Sequence, residues 1–517
     1  MMPTLVLDGA PLSIADVDDV ARRHRPVALA EGARNAIARS RRVVESHLAD
    51  GQAHYGINTG FGSLSRTRIS PNDLATLQRN LVRSHAAGMG PCLPRDVVRG
   101  MMVVLSASLT RGLSGVRVEL VEHLVRVLNA GIVPVVPETG SVGASGDLAP
   151  LAHIALTLLG EGEAFAGGVR TSAAEALRLA GLTPISLAAK EGLALINGTH
   201  LMAASAALIV RDTERLVRDA TVACAMSIDA CKATDAFLDD RLYAARVHPG
   251  PREIARRLRE LLSGSEIITS HRVDDPRVQD PYSLRCAPQV LGASLDAIAH
   301  VRACVERELG AVTDNPLVFS DGAGTPIVSG GNFHGMPVAL PIDHLTPAIA
   351  HIAGIAERRV FFLLSATDPV NPVPPYLAPN PGLNSGLMIA QYTAAACVNE
   401  IAGLSMPASV VNIPTSAGIE DYNSFGPRAC AKAIRAVELA RRVVAIELLC
   451  AAQGLEGKRP LRSGAGVEVA HAAVRTRVPA LTDDRPISTD LRHLEEMLTD
   501  PLVDDHLTKH QSIAGTR

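Results

Sequence analysis

The segment Gly140-Ser141-Val142-Gly143-Ala144-Ser145-Gly146-Asp147-Leu148-Ala149-Pro150 is the most unusual stretch of this 517-residue chain. Its glycines tolerate positive φ, and serine and aspartate are residues that cap a following helix. On composition alone, the segment predicts a tight turn in which Ser and Asp cap the next helix.

The same segment also permits a chemical interpretation. If Ala144-Ser145-Gly146 is bent tightly, the Gly146 amide nitrogen can attack the Ala144 carbonyl carbon. Loss of two water molecules then leaves a five-membered imidazolone in which the Ser145 side-chain carbon is an exocyclic methylidene. Glycine has the least hindered nitrogen, and serine supplies the hydroxyl that is eliminated. The product is a stronger electrophile than any ordinary side chain.

Composition favours a helical protein with a small-molecule partner. The chain carries 50 Lys and Arg against 53 Asp and Glu, so no basic excess points to a nucleic acid or an anionic membrane. Apolar residues make up 47% and aromatic residues only 3%, with no Trp, which favours helices packed through aliphatic side chains.

Cysteine usage and the chain's start predict a cytoplasmic protein. The eight cysteines form no C-x-x-C pair, which fits a reducing compartment. No basic segment followed by an apolar one marks a secretory signal at the N-terminus. The longest apolar run, 201–210, ends at Arg211 and has about half the length of a membrane span.

Several common site motifs do not occur in the sequence. It contains no G-x-x-x-x-G-K-[ST], no G-x-G-x-x-G and no H-E-x-x-H, so we expect neither a nucleotide nor a metal site.

Long segments with 3.6-residue periodicity begin at residue 200 and predict an elongated bundle of long helices. They are 200–236, 289–309, 343–364, 386–404 and 426–453. In the third, Leu345, Ile349, Ile352 and Ala356 share one face. Six prolines in 368–381 exclude a helix there. We expect an N-terminal domain at 1–200, a central bundle at 201–480 and a helical tail at 481–517.

Further motifs place the tripeptide in a family context. They are Tyr55-Gly56-Ile57-Asn58-Thr59-Gly60-Phe61-Gly62, Lys190-Glu191-Gly192-Leu193-Ala194-Leu195-Ile196-Asn197-Gly198-Thr199, Gln279-Asp280-Pro281-Tyr282-Ser283-Leu284-Arg285-Cys286, Gly330-Gly331-Asn332-Phe333-His334 and Pro414-Thr415-Ser416-Ala417. Together with Gly143 to Ala152, these motifs resemble those of the histidine and aromatic amino-acid ammonia-lyase family and appear in the same order. The resemblance implies a mainly helical, fumarase/aspartase-like fold whose N-terminal domain carries the prosthetic group 4-methylideneimidazol-5-one (MIO), formed from Ala144-Ser145-Gly146. It also implies a carbon-nitrogen lyase and a homotetramer with active sites shared between subunits.

The resemblance also implies roles for individual residues. The substrate's amine adds to the methylidene carbon of MIO and becomes a better leaving group while it is bound to the electron-poor ring, and a tyrosine removes the β-proton. An arginine fork holds the substrate carboxylate in a geometry that lysine could not reproduce. The corresponding residues are Tyr55 as the base, Arg285 as the clamp, Tyr282 beside the MIO group, Phe333 against it in a strand-like stretch, Asn197 and Gln279 as hydrogen-bonding groups, and Glu420 as an active-site carboxylate.

Three features of the sequence favour histidine as the substrate and trans-urocanate as the product. Ser84-His85 resembles the pair found in histidine-specific members, and Met388 also matches them. Glu420 can hold an imidazole N–H. These residues predict a polar end of the substrate pocket.

Other positions depart from the histidine-specific pattern, which leaves alternatives open. They are His200, Met336, Tyr422 and Asn423. The alternatives are a tyrosine or phenylalanine ammonia-lyase, a 2,3-aminomutase with the same prosthetic group, and a helical scaffold that has lost activity.

Overall fold

The protein is mainly α-helical, as the sequence predicts. The structure, a computed structural model, describes residues 2–50, 52, 54, 56–59, 69–322 and 326–499. The chain divides into two compact units. The first contains Met1–Arg211, Val301–Asp343 and Pro407–Ala431, and the second contains Asp212–His300, His344–Met406 and Lys432–Arg517. The domain boundaries expected near residues 200 and 480 stay a prediction.

The first unit combines short helices with strands of two to four residues, which the sequence analysis did not predict. Strands β1 and β2 pair in parallel, whereas β3–β5, β4–β6–β7 and β8–β9 pair antiparallel. The elements are β1 Leu5–Leu7, α1 Ile14–Arg22, β2 Val27–Leu29, α2 Glu31–Ala49, α3 Leu74–His85, β3 Met89–Cys92, α4 Arg95–Thr110, α5 Val118–Asn129, β4 Val133–Pro134, β5 Pro137–Thr139, α6 Leu148–Leu158, β6 Glu163–Ala166, β7 Val169–Ser172, α7 Ala173–Leu179, α8 Glu191–Ile196, β8 Leu317–Val318 and β9 Ile327–Val328.

All five predicted long helices are present, and four of them contain a unit boundary. The first ends at Ala230 rather than at residue 236, because the chain turns at Lys232, whose φ is +51°. The remaining helices are α9 His200–Ala230, α10 Asp240–Arg246, α11 Pro249–Leu261, α12 Glu266–Thr269, α13 Tyr282–Arg285, α14 Ala287–Glu308, α15 Met336–Ser365, α16 Met388–Leu404, α17 Gly426–Glu456, α18 Ala465–Arg477 and α19 Ile487–Thr499.

Helix α15 contributes an apolar face to the core of the second unit. Leu345, Ile349, Ile352 and Ala356 are all fully buried, so the predicted shared face is confirmed. Among the described residues, α15 alone is long and apolar enough by composition to cross a membrane, and 61% of its most apolar window is buried inside the protein. This burial is typical of a core helix. The proline-rich segment 368–381 forms no α-helix and contains one 3-10 turn, Pro375–Leu377.

A buried ion pair fixes the start of α8 in the first unit. The Lys190 ammonium lies 2.6 Å from the Asp314 carboxylate, and both side chains are almost completely buried. Lys190 has a φ of +72° and precedes α8 directly. Since α8 has only six residues and ends before Asn197, this pair also fixes the position of Asn197.

Candidate active site

The Ala144-Ser145-Gly146 tripeptide is held in a bend by backbone contacts within the first unit. Gly143 and Gly146 have φ values of +72° and +73°. Gly146 pairs with Gly198 in an isolated bridge, in which the Gly198 N–H donates to the Ser145 carbonyl at 3.3 Å and the Asp147 N–H donates to the Gly198 carbonyl at 2.7 Å. The tripeptide is therefore fixed on the segment that follows α8.

Only glycine fits at both ends of this bend. A Cβ added at Gly146 would lie 2.1 Å from the Gly198 carbonyl oxygen, and one added at Gly143 would lie 2.1 Å from the Ser424 hydroxyl. Positive φ already disfavours other residues at these positions. The bend required for the chemical interpretation is thus built into the surrounding backbone.

Asp147 does not cap the helix that follows it, which corrects the expectation from composition. It stands before α6, but its side chain makes no cap hydrogen bond there. One carboxyl oxygen instead accepts the N–H groups of Leu201 and Met202, at 2.8 and 3.0 Å, in the first turn of α9. Complete burial raises the pKa of Asp147 to about 7. Asp147 therefore joins the tripeptide loop to α9.

Several buried polar groups lie close in sequence to this contact. The side-chain oxygen of Asn197 is buried without a hydrogen-bond partner, as are both ring nitrogens of His200. Burial lowers the pKa of His200 to about 3, so its ring is neutral at physiological pH. Thr199 donates to Glu308, whose pKa is raised by burial. Sequence reasoning singled out Asn197 but not Glu308.

The structure brings Glu420 to the tripeptide, as the resemblance implies. The Ser145 hydroxyl donates to one carboxylate oxygen of Glu420 at 3.4 Å, and the Thr415 hydroxyl donates to the other at 2.9 Å. The backbones of Thr415 and Glu420 also pair with each other. Thr415 belongs to the motif Pro414-Thr415-Ser416-Ala417, but the sequence did not predict its contact with Glu420.

Residues 422 and 423, which depart from the histidine-specific pattern, differ in exposure. Tyr422 is 64% exposed and stacks against His334, with ring centroids 6.3 Å apart. Asn423 is fully buried, and its side-chain amide donates to the Ile413 carbonyl at 2.6 Å. Asn423 thus serves the local backbone, whereas Tyr422 faces outward.

Ser84 and His85 end helix α3. The Ser84 hydroxyl donates to the Leu81 carbonyl at 3.0 Å, and the His85 Nδ1 lies 2.9 Å from the same carbonyl oxygen. Burial lowers the pKa of His85, an effect that is partly opposed by the Leu81 carbonyl and by the negative charge of Glu420. The charge of Glu420 therefore acts on the His85 ring.

Of the predicted aromatic site residues Phe333 and Tyr55, the structure describes only Phe333. Phe333 lies in a turn before α15, not in a strand, because paired strand β9 ends at Val328; its side chain is half-buried. Tyr55 lies outside the described residues, although the adjoining Gly56 to Thr59 are described and buried. Its predicted role as the base stays a prediction.

In the second unit, the structure brings Gln279, Tyr282 and Arg285 together. The Arg285 guanidinium lies over the Tyr282 ring at 4.6 Å from the centroid, and it donates to the Gln279 side-chain oxygen at 2.8 Å. Tyr282 and Arg285 share a face of the short helix α13, as their spacing predicts. Tyr282 is 71% exposed. Met388, the other predicted residue of this unit, begins α16 and is half-buried.

Buried charges anchor the start of the segment that carries these residues. The Asp280 carboxylate accepts the backbone N–H and the hydroxyl of Thr234, at 2.9 and 2.8 Å. Its other oxygen lies 3.0 Å from the Arg277 guanidinium. Arg277 also donates to the Lys232 carbonyl at 2.7 Å and pairs with Asp368. Gln279 therefore lies between two anchored residues.

No group of three or more His, Cys, Asp or Glu residues in the described parts of the chain is arranged to hold a metal ion.

Comparison with known proteins identifies the family. The family described as "Aromatic amino acid lyase" matches residues 12–476. The chain belongs to the aromatic amino acid lyase family. This lyase is 50% identical over 499 residues to a histidine ammonia-lyase of Sorangium cellulosum, covering 95% of this chain and 97% of that protein.

Solved structures of the family share the fold of this lyase. A histidine ammonia-lyase from Trypanosoma cruzi has a TM-score of 0.91 at 40% identity and covers 98% of this chain and 96% of its own. A tyrosine aminomutase from Streptomyces globisporus has a TM-score of 0.91 at 31% identity and covers 99% of this chain and 98% of its own. The lyase is a carbon-nitrogen lyase of helical fold.

The raised pKa of Asp147 predicts a pH dependence of stability in the lyase. Between pH 4 and 7 the unfolded chain has released this proton, since the unperturbed pKa is 3.8, whereas the folded chain retains it up to about 7. The free energy of unfolding therefore falls with rising pH across this window, by about 1 kcal/mol per pH unit. Asp147→Asn keeps the hydrogen-bond acceptor and removes this dependence.

Thermal unfolding measured from pH 4.5 to 8 checks this expectation. Relative to the wild type, Asp147→Asn should gain stability steadily as the pH rises. Asp483→Asn, at an exposed carboxylate of the second unit, serves as the control and should follow the wild type. A constant offset between Asp147→Asn and the wild type would contradict the prediction.

Proposed function

We propose that this lyase eliminates ammonia from L-histidine to give trans-urocanate. The observation that carries the proposal is the contact between the Glu420 carboxylate and Ser145 of the tripeptide, at a place where the charge of Glu420 also acts on His85. A carboxylate and an imidazole can together satisfy both nitrogens of a substrate imidazole. The similarity to histidine ammonia-lyases over most of the chain supports the same substrate.

We infer that the tripeptide Ala144-Ser145-Gly146 forms MIO. Two features of the structure fit this group: the bend with positive φ at Gly146, and the contact with Gly198 that leaves no room for a Cβ. The side-chain oxygen of Asn197, adjacent to Gly198, is buried without a partner and can accept a hydrogen bond from the substrate's amine. When formed, the group supplies an electrophilic alkene that no ordinary side chain offers.

The chain's own residues then bind the substrate and move the proton. Arg285 holds the substrate carboxylate, because its guanidinium is already oriented by Tyr282 and by the Gln279 side chain. Tyr55 takes the β-proton. Its unperturbed pKa is near 10, so the site must favour the phenolate for this role. Phe333 and Tyr282 supply apolar ring faces, and Met388 contributes to the substrate pocket.

The substrate assignment is tested by initial rates of ammonia release from L-histidine, L-tyrosine and L-phenylalanine at equal concentration. L-histidine should dominate. His85→Phe should lower kcat/KM for L-histidine by roughly 10- to 100-fold, because a polar contact to the imidazole is lost. His351→Phe, at an exposed histidine of α15, is the control and should keep the wild-type preference. Faster ammonia release from L-tyrosine or L-phenylalanine than from L-histidine, or production of a β-amino acid, would overturn the assignment.

The prosthetic group is tested by the intact mass of the denatured protein. The wild type should be lighter than its sequence by two water molecules, and Ser145→Ala should have the full sequence mass and no activity. Ser145→Ala should fold normally, since its hydroxyl makes one long hydrogen bond, to Glu420. Ser172→Ala, which removes the cap of α7, should keep the mass deficit. A wild type of full mass would refute MIO formation.

We further propose that the enzyme is a cytoplasmic homotetramer. All eight cysteines are free thiols, which suits a reducing compartment. In the second unit, α16 leaves Ile389 and Tyr392 more than half exposed, and in the first unit Ile413 and Ile419 are similarly exposed. Ile389 and Tyr392 lie three positions apart on one face of α16, and a contiguous exposed apolar face can bind another chain. Further copies of this chain are the proposed partners.

If different subunits contribute to one active site, two inactive variants should complement each other. Phe333→Ala and Ser145→Ala, each inactive alone, should recover part of the wild-type activity when co-expressed, because mixed tetramers contain some complete sites. Light scattering should show a tetramer for each preparation. Co-expressed Ser145→Ala and Gly146→Ala should stay inactive, since both changes fall in one tripeptide. A fully active monomer would refute the shared site.

A further inference from the structure

A fully buried ion pair in the second unit touches the segment that carries Tyr282 and Arg285. The Arg359 guanidinium of α15 faces the Glu447 carboxylate of α17 through two hydrogen bonds, at 2.5 and 2.8 Å. The exposed fractions of the two side chains are 0% and 1%. The Ser227 hydroxyl of α9 also donates to Glu447, at 2.7 Å. Three long helices thus hold this pair in place.

The ion pair uses only part of the guanidinium. Its Nε and Nη2 face Glu447, which leaves Nη1 to donate to the Ser283 carbonyl at 3.2 Å. Ser283 lies in α13, a helix of four residues between Tyr282 and Arg285. Such a short helix cannot satisfy this carbonyl from within, because the residue four positions later lies beyond its end.

We propose that Arg359 is a positioning residue for catalysis, which acts by fixing the α13 backbone and thereby the side chains of Tyr282 and Arg285. This inference rests on the roles proposed for those two residues. Arg359 does not touch the substrate. Its hydrogen bond ties the short helix α13 to the buried helices of the second unit, although the Tyr282 side chain of α13 is largely exposed.

The positioning role of Arg359 is separable from any role in stability. A buried ion pair is weak evidence of stabilisation, since replacing both partners by apolar residues of similar volume often leaves stability unchanged or raised. An apolar pair, however, cannot donate to the Ser283 carbonyl. Misplacing a substrate-orienting group by about 1 Å can lower the rate 100-fold. Replacing Arg359 and Glu447 should therefore affect kcat/KM more than folding.

The test is the double variant Arg359→Met with Glu447→Leu in the full-length protein. We expect a variant that still folds, with a thermal unfolding midpoint lowered only modestly because the buried Ser227 hydroxyl loses its acceptor. We also expect an unchanged MIO mass deficit and a kcat/KM for L-histidine that is 10- to 100-fold lower, with a raised KM. The control is Arg442→Met with Glu495→Leu, which removes a partly exposed ion pair of the same unit. The control should keep the wild-type kcat/KM.

A double-mutant cycle distinguishes positioning from general damage. If Arg359 acts through Arg285, the apolar pair should reduce kcat/KM much less in an Arg285→Met background than in the wild type. A general structural defect would reduce kcat/KM by the same factor in the wild-type and Arg285→Met backgrounds. A folded double variant with wild-type kcat/KM, or losses that simply add, would overturn the inference.

Two further outcomes are separated by the same set of variants. If Arg285→Met itself leaves kcat/KM unchanged, the role proposed for Arg285 fails, and the inference fails with it. If Arg285→Met is impaired and the apolar pair is not, only the inference fails. Should the double variant not fold, Arg359→Lys decides: it keeps a cation beside Glu447 but lacks the guanidinium fork, so a raised KM supports the inference and a wild-type KM overturns it.

Discussion

The close approach of the Gly146 and Gly198 backbones is the constraint on which the first unit's site depends. It bends the tripeptide, and the Cβ of any other residue at position 146 would meet the Gly198 carbonyl oxygen at 2.1 Å. It also sets the position of Asp147, whose carboxyl group accepts hydrogen bonds from two backbone N–H groups in the first turn of α9. A contact of two backbones therefore orders a reactive loop without any large side chain.

Buried charge is the second organising element, and it serves geometry more than stability. Lys190 and Asp314 fix the start of α8, and Arg359 and Glu447 join the long helices of the second unit. Each pair is almost completely desolvated, so its Coulomb energy is largely offset by the loss of hydration. A buried pair still fixes the relative position of its two side chains, because its hydrogen bonds form only in one geometry.

Much of the site could be predicted because its residues lie in short contiguous motifs. Ser145 with Gly146, and Tyr282 with Arg285, are local arrangements, and the structure shows the expected bend and the expected shared helix face. The role of Asp147 could not be predicted, because its partners lie in α9, more than 50 residues further along the chain. The short strands were missed for a related reason: segments of two to four residues carry too little periodicity to recognise.

The sequence by itself determined the helical class, the five long helices and the chemistry that the tripeptide permits, because periodicity and side-chain type are local properties. Only the tertiary structure decided which groups meet: Glu420 with Ser145, Asp147 with the start of α9, and Arg359 with the carbonyl of Ser283. These contacts join residues far apart in the chain. Their formation depends on how the helices pack. That packing reflects side-chain volumes and the pairing of buried polar groups across the whole fold, so a local sequence pattern does not reveal it.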